Sequence, residues 1–87
     1  MTAVDDLAAE ALFASYLQPS QSPSGEVVEA EVMRTVKRYG SEGCAASVAL
    51  EFGDHPETAV LRMAWVRTTL TTADPRIRAL HEALTRT

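Results

Sequence analysis

Residues 49–65 read ALEFGDHPETAVLRMAW, and this stretch carries the sharpest signals in the chain for a boundary between two helices. Gly53 follows a helical pattern of apolar residues, and because glycine tolerates a positive φ it predicts the end of that helix. Asp54 is placed to cap the free amides of the next helix, Pro56 suits its first turn, and Glu57 completes a capping box. We therefore expect two helices joined by a tight turn at Gly53.

Apolar residues at helical spacing extend in both directions from this turn, and no stretch shows the alternation of a β-strand. Asp74 and Pro75 mark the start of a last helix in the same way. The sequence therefore predicts an all-α fold, a small bundle of about five helices. The predicted helices span residues 4–17, 26–39, 43–52, 55–71 and 75–85.

The 87 residues fit one domain with three segments. Residues 1–17 form an acidic N-terminal helix whose apolar arc is broad enough to require burial on more than one side. Residues 18–25, QPSQSPSG, read as a Pro/Ser-rich linker, and residues 26–87 form a helical core. Ser24 is a predicted N-cap for the helix after the linker, and Gly40 is predicted to end that helix with a positive φ.

Composition and residue patterns indicate the localisation and the source of the protein. The chain has no apolar run of about 18–20 residues, which argues against a membrane span. The acidic N-terminus does not resemble a signal peptide, so we expect a cytoplasmic protein. Seven of the eight basic residues are arginine and alanine is abundant, which favours a bacterial source. Cys44 is the single cysteine and is interpreted as a packing residue, and no residues at metal-ligand spacing predict a metal or cofactor.

Residues 26–71 resemble the three-helix unit of the helix-turn-helix family. The predicted helices have suitable lengths, and Ala49 followed four residues later by Gly53 is similar to the alanine and turn glycine of that family. The resemblance implies a helix-turn-helix-like core in which residues 55–71 are the second helix of the motif.

The register of that motif raises a difficulty. In the standard spacing the ninth residue after the glycine is buried and apolar, but here it is Arg62, and Val60, Leu61 and Ala64 would face DNA. One extra turn residue would direct Val60 and Met63 inward instead. This departure from the common pattern counts against DNA reading.

A helical wheel of residues 55–71 places Ala59, Met63, Val66 and Leu70 on one side. Tryptophan and arginine on the opposite side are typical of an anchor at a protein interface. This outer face predicts a site for a protein partner or for a second copy of the chain. Its residues are Thr58, Leu61, Arg62, Trp65 and Thr69. The alternative is that the terminal helices of the same chain cover Trp65, in which case the face is internal packing.

The first helix offers a second surface. Its broad apolar arc predicts a face for homodimerisation. The residues of that face are Leu7, Leu12, Phe13, Tyr16 and Leu17.

Two other classes of function compete with a protein-binding module. A DNA-binding regulator would need its basic residues to converge around residues 55–71, although the net charge of the chain is −4. Those candidate DNA contacts are Arg34, Lys37, Arg38, Arg62 and Arg67. An enzyme is disfavoured, because the sequence has no glycine-rich phosphate loop, no GxSxG motif and no convincing acid/base pair.

Overall fold

The computed structural model describes residues 7–71 together with Ala79, Glu82 and Ala83, and the regular secondary structure of these residues is all helical. The helices are α1 (Leu7–Ala14), α2 (Gly25–Asp54) and α3 (Pro56–Leu70), with a short 3-10 turn at Pro19–Gln21 between α1 and α2. The all-α prediction is thus confirmed, whereas the count of five helices is not. The predicted helix 75–85 lies outside the described residues except at the three named above, which are helical.

The predicted helices 26–39 and 43–52 are the two arms of α2, which bends at Gly40. A straight helix of 30 residues would be about 45 Å long, but the longest dimension of the molecule is 34 Å. Gly40 makes the bend possible, because it has φ 71° and ψ 174°, and the positive φ predicted for it is confirmed. The N-cap prediction is also confirmed, since the Oγ atom of Ser24 accepts a hydrogen bond from the backbone N–H of Val27 at 3.3 Å.

The prediction of a glycine turn at Gly53 is wrong. Gly53 is helical, α2 continues through Asp54, and the backbone leaves the helix at His55 with φ −139° and ψ 65°. Asp54 is therefore the last residue of α2 and not the N-cap of α3. The physical cause is Pro56, the first residue of α3, because the ring of a proline disfavours the helical conformation in the residue before it.

Helix α1 lies at the centre of the molecule and packs chiefly against α2, with further contacts to α3. Nearly every residue of α1 is buried, including Leu7, Leu12 and Phe13, as expected for a helix that is apolar on all sides. Small alanine side chains at several positions of α1 let its neighbours approach closely. The expectation that the first helix is buried on more than one side is confirmed, and the buried core includes residues of α1.

The other helices complete this core. Helix α2 contributes Val28, Val32 and Cys44, and α3 contributes Ala59, Val66 and Leu70. Each helix therefore reaches α1 with the apolar side chains of one face.

Candidate functional site

Arg62 extends from α3 to the C-terminal end of α1. Its Nε atom donates a hydrogen bond to the carbonyl oxygen of Phe13 at 2.8 Å. Its Nη2 atom donates to the carbonyl oxygens of Ser15 at 3.0 Å and Leu17 at 2.9 Å, with a longer contact of 3.4 Å to that of Leu12. Phe13 lies in the last turn of α1, and Ser15 and Leu17 follow the helix. The last carbonyls of a helix have no partner within the helix and carry partial negative charge, so the guanidinium supplies a donor at this end and complements the helix dipole.

Two aromatic rings flank the same guanidinium. Its central carbon lies 5.6 Å from the ring centroid of Phe13 and 5.3 Å from that of Trp65. Phe13 in turn stacks on Phe52 of α2 with ring centroids 6.0 Å apart. Burial lowers the pKa of Arg62, and the negative charge of Glu51 acts in the opposite direction. We call Arg62, Phe13 and Trp65 the arginine clasp, and it joins α1 to α3.

The five residues of the predicted partner-binding face therefore have different environments. Arg62 and Trp65 belong to the arginine clasp, Trp65 is half-buried against the core, and Thr69 is half-buried as well. Leu61 and Thr58 are exposed, Leu61 to 71%. The alternative, that the chain itself covers Trp65, agrees with this arrangement in part, because Trp65 is half-buried and Phe13 of α1 belongs to the same clasp. Binding of a partner by this face stays a prediction.

The orientation of α3 corrects the register that we inferred from the sequence. Val60, predicted to point inward, is 57% exposed, whereas Arg62 points toward α1. Met63 packs against the core as predicted. Gly53 is helical and forms no turn, but Arg62, the position that the standard spacing after this glycine predicts to be internal, does point inward. That spacing was the one signal in the sequence that could have identified Arg62 as an internal residue.

The solvent-facing side of α3 is rotated by roughly a quarter turn from the predicted one. Five exposed residues of α3 lie within an arc of about 100° on the helix: Glu57 in the first turn and, after it, four residues that are mostly apolar and form one surface. We call this surface the α3 outer face, and it consists of Val60, Leu61, Ala64 and Thr68.

The surface predicted for homodimerisation is largely internal. Leu7, Leu12, Phe13 and Leu17 are buried in the core of the chain, and Tyr16 is 73% exposed. Four of these five side chains therefore cannot contact another molecule while α1 occupies its place in the monomer.

The candidate DNA contacts are divided in a similar way. Arg34, Lys37, Arg38 and Arg67 are exposed, whereas Arg62 is bound to the end of α1. Arg34 also forms an ion pair with Glu31 at 2.6 Å. Arg62 is thus directed away from any nucleic acid that α3 could meet.

An apolar groove of about 270 Å³ runs along the second arm of α2 beside the end of α1. Four of its lining residues are small, and the side chains of Tyr39 and Leu50 in its lining are exposed. The complete lining is Ala14, Tyr39, Gly43, Ala46, Ser47 and Leu50. The polar groups that this lining offers are the hydroxyls of Tyr39 and Ser47.

Cys44 is fully buried, in agreement with its interpretation as a packing residue. Burial raises the pKa of the thiol, and the charge of Glu10 raises it further, so the reactive thiolate is disfavoured. Within the described residues no group of three or more His, Cys, Asp or Glu side chains could hold a metal ion. No helix in this part of the chain is both long and apolar enough to cross a bilayer.

Comparison with family models, with curated proteins and with solved structures finds no match for the chain. The similarity to the helix-turn-helix family therefore rests on the spacing of residues 26–71 alone.

Proposed function

We propose that the protein is a non-enzymatic interaction module that binds a protein partner through the α3 outer face. The observation that carries the proposal is the pair of adjacent apolar side chains Leu61 and Val60, which are 71% and 57% exposed on the same side of one helix. Burying two such side chains at an interface would contribute several kcal/mol, at roughly 1.5–3 kcal/mol for each side chain fully buried.

The composition of the α3 outer face suits a helix that docks into a partner's groove. Leu61, Val60 and Ala64 are apolar, and the small side chains of Ala64 and Thr68 would let a partner approach the helix closely. Glu57 is exposed at the N-terminal end of this strip and Arg67 is exposed beside Val60, so charged groups adjoin an apolar centre, as at many protein interfaces. The arginine clasp holds α3 against α1, which limits the conformational entropy lost on binding.

A helix-turn-helix regulator that binds DNA is the alternative. If α3 were its recognition helix, the side chains facing the bases would be Val60, Leu61 and Ala64, which donate no hydrogen bonds to base edges. Arg67 is the exposed base on α3, and Arg62 is engaged by α1. These positions favour a protein partner over DNA. A gel shift with genomic fragments at low salt tests the alternative, because even non-specific DNA binding is strong under that condition.

The test of the proposed function compares two leucines that are both exposed but lie on different helices. Tagged wild-type protein, Leu61→Asp and Leu50→Asp are used to capture proteins from a lysate of the source cells, and the captured proteins are identified by mass spectrometry. Circular dichroism first establishes that each variant keeps the helical content of the wild type. A partner that contacts the α3 outer face should be lost with Leu61→Asp and retained with Leu50→Asp.

Binding of the partner is then measured with purified proteins. The expected result is a loss of at least about 100-fold in affinity for Leu61→Asp, because a carboxylate would be buried in an apolar contact. Equal capture by Leu61→Asp and wild type would refute the α3 outer face as the site. A positive gel shift together with no captured protein would favour the DNA-binding alternative.

A further inference from the structure

We propose that two copies of the chain exchange α1, so that the α1 helix of one copy fills the core of the other and the product is a domain-swapped dimer. This inference does not depend on the α3 outer face or on the proposed function. It concerns the buried helix, the segment that connects it to α2, and the side chains that receive it.

Helix α1 is the part of the core that the rest of the molecule cannot replace. Among the described residues, it supplies six of the thirteen buried apolar residues of the core, and the side chains of α2 and α3 in this core include Val32 and Val66, both fully buried. Without an α1 helix these side chains would be exposed to water, so the core must contain α1 from its own chain or from another.

The connection between α1 and α2 can open without breaking a hydrogen bond to the described part of the core. Residues 18–22 are exposed, and the hydrogen bonds of their turn are local: Gln21 N–H donates to Gln18 O, Ser22 N–H to Pro19 O, and Gln18 N–H to Oε1 of Gln21. Within the described residues, this segment therefore has no hydrogen bond to the core that opening would break. Exchange of an element through such an exposed connection is a low-cost route to a dimer.

The closed connection also carries backbone strain. Ser22 has φ 45° and ψ 57°, a left-handed conformation that residues other than glycine seldom adopt. An extended connection would release this strain. Pro19 and Pro23 restrict the backbone to conformations compatible with an extended chain, so an open hinge has less conformational freedom to lose.

The contacts of α1 can be formed equally well between two chains. The arginine clasp joins the side chain of Arg62 to backbone carbonyls near the end of α1, and these atoms keep the same geometry whichever chain supplies the helix. The closed monomer and the swapped dimer therefore differ in the hinge and in their dependence on protein concentration. The buried arc of α1 can contribute to a dimer by this exchange, whereas it cannot form a dimer face on the intact monomer.

The first experiment changes the length of the hinge in the full chain. Wild type, a variant lacking residues 19–21 and a variant with four Gly/Ser residues inserted after Ser20 are refolded at high protein concentration. Their masses are then measured by size-exclusion chromatography with light scattering. A shorter hinge cannot close within one chain, so dimer should become the main species, and the longer hinge should yield mostly monomer. Ser22→Gly, which removes the strain, should form less dimer than the wild type.

A wild-type dimer that forms on refolding and has the same abundance in all three hinge lengths would overturn the proposal, because a dimer without exchange does not depend on the hinge. Wild type that stays monomeric at every concentration would overturn it as well. If the shortened variant does not fold, the comparison of wild type with the lengthened hinge and with Ser22→Gly still distinguishes the two results.

The second experiment tests exchange without altering the hinge. Leu12→Asp introduces a carboxylate into the buried side of α1, and Val66→Asp introduces one into the surface that receives α1. Both substitutions should prevent packing, since both residues are fully buried in the wild type. Each full-length variant alone should have little helix by circular dichroism. When the two are refolded together, the intact α1 of the second variant can fill the intact core of the first, and about half of the wild-type signal should return. Recovery supports exchange, and a mixture with no more helix than its components contradicts it.

Discussion

Gly40 and Gly53 illustrate at the scale of one residue how the same amino acid can have different roles. The φ and ψ of Gly40 lie in a region that residues with a Cβ atom rarely occupy. Gly53 is helical, and a Cβ atom added there would have no atom within 4 Å. The backbone of α2 therefore requires glycine at the bend and merely tolerates it near the end.

The matched substitutions should shift stability in opposite directions. Gly40→Ala should lower the free energy of unfolding by roughly 1–3 kcal/mol, because alanine is strained at that conformation. Gly53→Ala should raise it by roughly 0.5–1 kcal/mol, because alanine has the higher helix propensity. Urea denaturation followed by circular dichroism measures both values. A destabilised Gly53→Ala variant would contradict a helical conformation at Gly53 and favour the turn predicted there from the sequence.

The prolines show which local signals are decisive at this scale. Pro56 defines the start of α3 because its ring restricts His55, and this restriction acts whatever surrounds it. A glycine permits several conformations and dictates none, so Gly53 alone could not indicate whether α2 ends there.

At the scale of the element, the long side chain of Arg62 adds hydrogen bonds to the apolar packing between α1 and α3. Arg62 donates hydrogen bonds to the carbonyl of Phe13 in the last turn of α1 and to those of Ser15 and Leu17 just after it. A helix end without such partners is costly, because each buried polar group left unsatisfied carries a desolvation penalty. Arg62 therefore stabilises the end of α1 more than it contributes to the surface of α3.

Removing this side chain should weaken the fold. We expect Arg62→Met to lower the free energy of unfolding by about 1.5–3 kcal/mol, the usual range for hydrogen bonds to a charged group. Arg62→Lys should lower stability less than Arg62→Met, because the ammonium keeps the positive charge. It should still lower stability, because an ammonium cannot span the same carbonyls. Arg67→Met, an exposed arginine on the same helix, is the control and should change stability by no more than about 0.5 kcal/mol. Equal effects at the two arginines in chemical denaturation would contradict the role of Arg62 as a cap.

At the scale of the whole molecule, the core is organised around α1 and not around the turn between α2 and α3. A chain of this size has few buried side chains, and α1, most of whose residues are buried, packs against both of the other helices. Leu12 is fully buried at this centre, whereas Leu50 is 61% exposed at the edge of the apolar groove.

These two leucines provide a test of that organisation. Leu12→Ala should lower the free energy of unfolding by about 2–5 kcal/mol, because it removes buried apolar surface and leaves a cavity. Leu50→Ala should change it by no more than about 0.5 kcal/mol. Thermal and urea denaturation of both variants provide the measurement. Similar values for the two would show that α1 is not the centre of the core.

Local chemistry in the sequence was sufficient to predict several features of the molecule. The helical spacing of apolar residues predicted an all-α fold, Ser24 predicted the start of α2, and Gly40 predicted a positive φ. The apolar arc of the first helix predicted its burial on more than one side. Each of these depends on a residue and its immediate neighbours, which are present in the sequence itself.

Tertiary structure alone decided which side of α3 faces solvent. Apolar residues occur on both sides of that helix, so periodicity could not distinguish an inward Val60 from an outward one. The deciding factor was the end of α1, whose carbonyl groups need a donor and attract the charge of Arg62. These carbonyls are separated from Arg62 by more than forty residues, so helix α3 acquires its orientation only when the chain brings the two together.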